Sequence, residues 1–428
     1  MRILVVGAYG LIGSYVTARL LAAGHEVTGL GREVSGARHR FPQVRWIAAD
    51  LRRLDVARWA PILEGVQAVV NCAGALQDSP RDDLAAVHLK ATAALAQACH
   101  TAGVRRLVQI SAVGVEKGES PFEATKLAAE HALMASGLDW IILRPALVLA
   151  PAAYGGSGLL RALAALPFAM PAAHPDAVVQ TVSVEDVAEA VLRSVEGPQA
   201  RFSCDLAAAE PTRLGDVLKG LRAWLGLSPA PVLAIPSVLT GSAGWLADGL
   251  AWLGWRSPMR TAALRQLADG VQGRSGDAME HLGLPIGGLQ STLGRWPAGV
   301  QERWYARLYF LKPLALAVLA GFWGASGIIG LMREPAAARV LLNAGFSPSG
   351  ADSAVLAGAS VDILLAALVC FRRTARSALL GMVLATAGYL AAATIWTPAL
   401  WADPLGPLVK SIPAAVLALA AWAMMDER

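Results

Sequence analysis

Residues 2–6 form a run of β-branched and aliphatic side chains of buried-strand length, followed at once by a helical apolar pattern over 11–23. The alternation then repeats. Short apolar runs at 26–30, 44–47, 68–71, 106–110 and 139–143 predict strands, and longer stretches between them, notably 83–102 and 121–136, predict helices. Strands alternating with helices predict parallel βαβ units in an α/β, doubly wound sheet. Beyond residue 300 the pattern changes to four apolar stretches near 311–332, 353–371, 377–396 and 405–425. Each has about the 20 residues needed to cross a roughly 30 Å hydrocarbon core, predicting an all-α four-helix transmembrane bundle.

Composition sharpens this division. The 428-residue chain is 55% hydrophobic and only 16% charged, against about 25% charged in soluble chains. The charges concentrate before residue 300, so the expected domains are 1–300, with a substrate subdomain mainly over 146–300, and 301–428. The net charge of +5 is modest and no basic run carries interleaved aromatics, so no nucleic-acid partner is expected. Cys72, Cys99, Cys204 and Cys370 are scattered without a CxxC pair, which points to reduced thiols and no metal site. A strand beginning at residue 2 leaves no room for a signal peptide, so the N-terminal domain is expected in the cytosol.

Between the first strand and the first helix lie Gly7, Ala8, Tyr9, Gly10, Leu11, Ile12 and Gly13. Strand, glycine turn and helix in this order form a phosphate cradle. Gly7 permits the tight turn, Gly10 admits a pyrophosphate to bare backbone, and Gly13 lets the helix pack on the sheet. The pyrophosphate would sit on free N–H groups at the helix N-terminus. At the tip of the second strand stands Arg32 with no carboxylate before Glu33. That favours NADP(H), whose 2′-phosphate an arginine accommodates, and admits NAD(H).

These residues, with Asp50-Leu51, Asn71-Cys72-Ala73-Gly74, Ile110-Ser111-Ala112, Leu143-Arg144-Pro145-Ala146 and the run from Gln180 to Ala188, resemble the short-chain dehydrogenase/reductase superfamily. The resemblance is to its atypical, extended branch, which is similar to NAD-dependent epimerases/dehydratases. Within that branch it is strongest to the subgroup related to the accessory NADPH-binding subunit of respiratory complex I. It covers about the first 290 residues and implies a Rossmann-type fold. It further implies that Asp50 and Leu51 flank the adenine, Cys72, Ala73 and Gly74 line the cofactor, and Pro145 lies with Arg144 beside the nicotinamide.

The family's catalytic set is a Tyr and a Lys four residues apart on one helix, with a Ser or Thr ending the fifth strand. Ser111 and Lys126 match, both also implied as cofactor contacts, but Phe122 stands at the tyrosine position. A phenyl ring donates no proton, so standard carbonyl reduction is in doubt while cofactor binding is not. Tyr154, in the segment that borders the family's substrate pocket, is the candidate replacement acid. His88, His131 and His174 are isolated in the sequence and read as structural. The apolar run 239–255 carries Trp245, Trp252 and Trp255 but also Asp248. It reads as a helix on the membrane surface, at the substrate mouth, or in the subdomain core.

Arg303, Arg307 and Lys312 precede the first span, and Arg372, Arg373 and Arg376 fill the second connection, whereas 397–404 has no Lys or Arg. Positive residues mark the cytosolic side, so an integral inner (plasma) membrane protein with both termini in the cytosol is expected. The sequence around Asp403-Pro404-Leu405-Gly406-Pro407 resembles the DoxX-like membrane family. Asp362 and Lys410 fall within spans, at depths that predict a buried pair. Three readings stay open. The chain is an NADP(H)-dependent oxidoreductase on a lipophilic, quinone- or isoprenoid-like substrate, a cofactor-loaded subunit or sensor of a membrane complex, or an ion or redox conduit.

Overall fold

In the computed structural model, which describes residues 1–78, 82–255, 257–404 and 406–426, six strands appear where the apolar runs lie. They are β1 (Arg2–Val6), β2 (Glu26–Gly31), β3 (Arg45–Ala48), β4 (Ala68–Asn71), β5 (Arg106–Ile110) and β6 (Asp139–Pro145). A seventh strand, Phe202–Leu206, joins them in the order Phe202–Leu206, β6, β5, β4, β1, β2, β3, and every pairing is parallel. The order reverses between β1 and β4. That switch point leaves a crevice at the carboxyl ends of the strands, where open α/β sheets take their ligands.

Successive strand residues face opposite sides of the sheet, and both sides are buried. Ile3, Val5, Val70, Val108 and Ile141 enter one core, while Leu4, Val6, Val69, Leu107 and Ile142 enter the other. That is why these strands read as continuous apolar runs rather than alternations. The helices α1 (Leu11–Ala22), α2 (Ser35–Arg40), α3 (Val56–Leu63), α4 (Ala91–Ala102) and α5 (Pro121–Met134) cover the sheet. A π-helical turn, Ala85–Lys90, precedes α4. α5 starts at a full capping box, Ser120 with Glu123, and has Pro121 in its first turn.

The chain divides into two compact units, Met1–Asp248 with Ser257–Ala306, and Gly249–Arg256 with Arg307–Arg428. In the first, short strand pairs such as Met170–Ala172 with Val232–Ala234 follow the sheet. They surround a further core of Leu149, Leu160, Met170, Leu218 and Trp296.

The second unit is helical. Val300–Met332, Pro348–Cys370 and Ala375–Trp396 are long and apolar enough to cross a membrane. The first runs unbroken from Val300, well before the expected start. The expected fourth span is a shorter apolar helix, Pro407–Ala423, of 17 residues, because Gly406 enters it in the left-handed region (φ +58°) and Pro407 sets its first turn, so three helices among the described residues have spanning length rather than four. Leu405, the expected start of that span, lies outside the described residues. Glu334–Asn343, a helix without a spanning pattern, links the first two spans.

The expected pairing of Asp362 with Lys410 does not form. Asp362 is buried and accepts from the Ser326 hydroxyl on Oδ2 (2.7 Å) and from the Tyr389 hydroxyl on Oδ1 (2.8 Å). Two donors from the flanking helices thus fill both carboxylate oxygens, and Lys410 stays exposed.

Candidate functional site

The glycine turn closes as its sequence demands. Gly7 has φ +73°, its N–H donates to the Leu30 carbonyl (2.8 Å), and Gly10 N–H donates to the Gly7 carbonyl (2.9 Å). A Cβ on Gly7 would sit 3.0 Å from the Ala73 backbone, and one on Gly13 would overlap the Gly7 carbonyl oxygen. The ends of β1 and β4 and the start of α1 therefore approach closely only because these positions lack side chains. Ala8 is buried under the turn, and the Tyr9 ring lies against Gly31 at the end of β2.

Beside it, Arg32 is ion-paired to Asp82 (2.9 Å). Asp50 caps the turn Leu51–Arg53 and is bound by Arg52 at 2.6 Å, which holds its carboxyl below the usual range. Asn71 pins the turn after β4. Its Oδ1 accepts from Ala73 N–H (3.1 Å) and its Nδ2 donates to Gln109 (2.9 Å).

Ser111, Lys126 and His88 gather at the end of β5. Lys126 is buried, and its ammonium donates to the Ile110 carbonyl (2.9 Å). Burial pulls its pKa down to about 8, against the opposing influence of Glu130 and Cys72. Burial likewise pushes the Cys72 thiol up to about 12. A Cβ on Gly74 would lie 3.4 Å from Lys126 Nζ and 3.6 Å from His88 Nε2, so that glycine is the floor of the cluster. The Ser111 N–H is spent on the Leu143 carbonyl (2.7 Å), but its buried hydroxyl has no hydrogen-bond partner.

His88 is the residue that sequence reasoning set aside. Its Nε2 accepts from Ala75 N–H (3.1 Å), and its Nδ1 lies 2.9 Å from Thr125 Oγ1, which itself donates to the Pro121 carbonyl. Those partners assign the proton to Nδ1. Burial, followed by the Lys126 charge, lowers its pKa to about 3, so the ring is neutral. Phe122 meets it edge to face at 5.7 Å. Only the fold brings His88 to α5, so no local spacing announced it.

Arg144, at the carboxyl end of β6, is buried. Its guanidinium forms a bidentate pair with Glu130 (3.1 and 2.5 Å), bonds Glu116, and lies 3.9 Å from Asp205. Pro145 follows at the end of β6, its carbonyl accepting from Val113 N–H (3.1 Å). Tyr154 stands at the N-terminus of the helix Gly155–Ala164 and is 40% exposed. Its segment reaches α1 through Ala152 N–H, 3.3 Å from the Tyr15 hydroxyl. No cluster of three or more metal-ligating side chains occurs among the described residues.

A dinucleotide fits what is present. The bare glycine turn and its free helix N-terminus can take a pyrophosphate. The unpartnered Ser111 hydroxyl and the Lys126 ammonium can take polar groups at the far end.

Comparison with known proteins agrees. Residues 7–198 match the NAD(P)H-binding family model and residues 320–419 the DoxX-like family. Sterol demethylase protein B of Methylococcus capsulatus (strain ATCC 33009 / NCIMB 11132 / Bath) is 30% identical over 329 residues, 71% of this chain and 99% of that protein. An uncharacterised protein of Mycobacterium tuberculosis (strain ATCC 25618 / H37Rv) is 33% identical over 201 residues, 46% of this chain. That match spans only 20% of the mycobacterial relative's length. Among solved structures, UDP-glucuronic acid 4-epimerase from Bacillus cereus, in complex with UDP-glucuronic acid and NAD, superposes with a TM-score of 0.53 at 17% identity. It covers 72% of this chain and 100% of its own, a likeness of fold.

Proposed function

Since the chain belongs to the NAD(P)-binding, short-chain dehydrogenase/reductase-like family and carries a DoxX-like membrane domain, we propose that it is a membrane-anchored oxidoreductase using NADP(H) on a lipophilic substrate. The observation that carries this is the pair at the end of β5, an unpartnered buried hydroxyl on Ser111 beside a buried lysine. Gly7 to Gly13 hold the pyrophosphate, Asp50 and Leu51 the adenine side, and Cys72, Ala73, Gly74 and Pro145 the nicotinamide side. When bound, the nicotinamide supplies or takes up hydride. Ser111 donates a hydrogen bond to the substrate oxygen. Lys126, with a pKa near 8, replaces the missing phenol as the group that gives or takes the proton. Phe122 and neutral His88 wall the site and exclude water.

Arg32 favours the 2′-phosphate of NADP(H), which would displace Asp82 from it; NAD(H) offers the arginine no such exchange. The relative that spans both parts is named for a sterol, which supports a lipid-soluble substrate. The basic connections at Arg303 to Lys312 and Arg372 to Arg376 support cytosolic termini in the plasma membrane.

The test is cofactor oxidation by the full chain in phosphatidylcholine vesicles, offered a panel of sterol ketones and quinones with NADPH or NADH. Oxidation of NADPH in preference to NADH is expected with at least one of them. The proton donor is the charged lysine, so the rate should fall as pH rises through about 8 and vanish in Lys126→Met. Tight cofactor binding without turnover on any substrate would overturn the enzyme reading. It would favour a cofactor-loaded subunit of a membrane complex, to which Phe122 points.

A further inference from the structure

The helix Ser237–Trp252 buries its small residues and exposes its large ones. Ala247 and Ala251 are sealed, and a Cβ on Gly244 would press on Thr261 and Leu264 at 3.0 and 3.2 Å. The opposite face carries Leu239, Leu246, Trp245 at 78% exposure and Trp252 at 77%. Water selects the reverse arrangement, because two tryptophans left in it forfeit the largest apolar burial a side chain offers. Small residues inward and bulky ones outward is the arrangement of a helix that faces lipid. The one charged residue, Asp248, also turns inward, where it accepts from Gln77 (3.0 Å), Arg260 (3.0 Å) and Thr261 (2.7 Å).

The end of this helix shows what covers the face. Residues 249–256 belong to the membrane unit. The Trp255 indole donates to the Cys370 carbonyl (2.7 Å), Arg372 N–H donates to the Leu253 carbonyl (3.0 Å), and the Arg372 guanidinium lies 5.7 Å from the Trp255 ring. Cys370 ends one spanning helix, and Arg372, Arg373 and Arg376 lead into the next. Leu253 and Trp255, which follow the helix, are therefore held at the mouth of two spans beside three arginines, the level of the lipid headgroups. From this continuity we propose that Ser237–Trp252 lies in the membrane interface with its tryptophan face in lipid. Through Asp248 it holds the loop 75–78, next to His88, as the entrance for a bilayer-dissolved substrate. The second half rests on the oxidoreductase reading; the first does not.

Nitroxide labels at Trp245→Cys and Trp252→Cys test the first half. The full chain, with Cys370→Ser to remove the exposed native thiol, is placed in phosphatidylcholine vesicles, and Glu64→Cys on the N-terminal unit serves as control. Collisions with dissolved oxygen should exceed those with an aqueous nickel chelate at 245 and 252, and the reverse should hold at 64. Nickel access matching the control at both sites overturns the proposal. So does low access to both probes, which would mean that a second copy or another protein surface covers the helix.

The double variant Trp245→Glu, Trp252→Glu tests the second half. Cofactor affinity should be unchanged, while KM for a bilayer-dissolved substrate rises roughly tenfold and kcat holds. An unaltered KM overturns the entrance. If the unmodified protein oxidises no cofactor at all, the oxidoreductase reading and the entrance fall together, and the label accessibilities still decide the position of the helix.

Discussion

The two units of this protein differ in what they leave exposed. Around the sheet the sealed positions are Leu4, Val6, Leu107, Ile141 and Ile142. In the helical unit Ala375, Ala378, Ala418 and Ala421 are sealed alongside Leu319, Trp323, Leu379 and Met382, whereas Leu364, Leu384 and Ile395 stand exposed. Close approach there depends on absent side chains. A Cβ on Gly327 would come 2.6 Å from the Ala359 carbonyl oxygen, and one on Gly381 would come 2.8 Å from Leu365. Water drives large apolar groups inward, while lipid exerts no such force and leaves backbone proximity and hydrogen bonds to join helices. Hydrophobicity alone therefore does not say which face is inside. The solvent of each unit does.

The largest effect should come from truncating the same residue type in each unit. Leu107→Ala should destabilise the N-terminal unit by about 2–5 kcal/mol in denaturant titration. Leu384→Ala, on a lipid-facing surface, should change thermal stability in vesicles by less than about 0.5 kcal/mol. Equal losses would break the contrast.

A second test concerns charge in a water-facing core. Lys126 titrates near 8 when folded and at its ordinary 10.5 when unfolded. Between those values the unfolded chain holds the extra proton, so stability should rise with pH across that window and be flat below it. Measured as the difference between the unmodified protein and Lys126→Met, the rise should be on the order of 3 kcal/mol. A difference independent of pH would place Lys126 in water.

Third, Gly13→Ala and Gly327→Ala should each cost roughly 1–3 kcal/mol, but in separate units. Only the first should weaken cofactor binding in a fluorescence titration.

The smallest effect sharpens the account of the membrane unit. A double-mutant cycle of Asp362→Asn with Tyr389→Phe should give a coupling of about 1 kcal/mol, the scale of hydrogen bonds between helices in lipid. No coupling would leave the Asp362 contacts without energetic weight.

Much of the sheet was legible because both of its faces are covered, so β1 and β4 carry unbroken apolar runs at 3–6 and 68–70 and only Gln109 interrupts that of β5. The strand Phe202–Leu206 was not, because Ser203 and Asp205 interrupt its run and it adds to the sheet only by pairing with β6. The glycine turn could be read because its chemistry is local. The surroundings of Lys126 could not, since His88 reaches it from another helix and the ion pairs of Arg144 run to Glu116, Glu130 and Asp205. The membrane pair failed for the same reason. Charge and depth singled out Asp362, but hydroxyls on the helices before and after it supply its partners, and hydroxyls leave little trace in a hydropathy pattern.

The bonding of Asp362 also bears on how the protein is made. Ser326, Asp362 and Tyr389 lie on three successive spanning helices, so they leave the ribosome in that order. A carboxylate near the middle of a helix costs about 2.5–3.5 kcal/mol at membrane insertion. When the second span enters the bilayer, Ser326 is already there to meet it and Tyr389 has yet to be synthesised. Translation paused just after Cys370 would hold the nascent chain with one donor in place and the other missing. Release of the second span into lipid is then expected to wait for the third, so crosslinks of the paused chain to the insertion machinery should persist at Asp362 and weaken in Asp362→Leu.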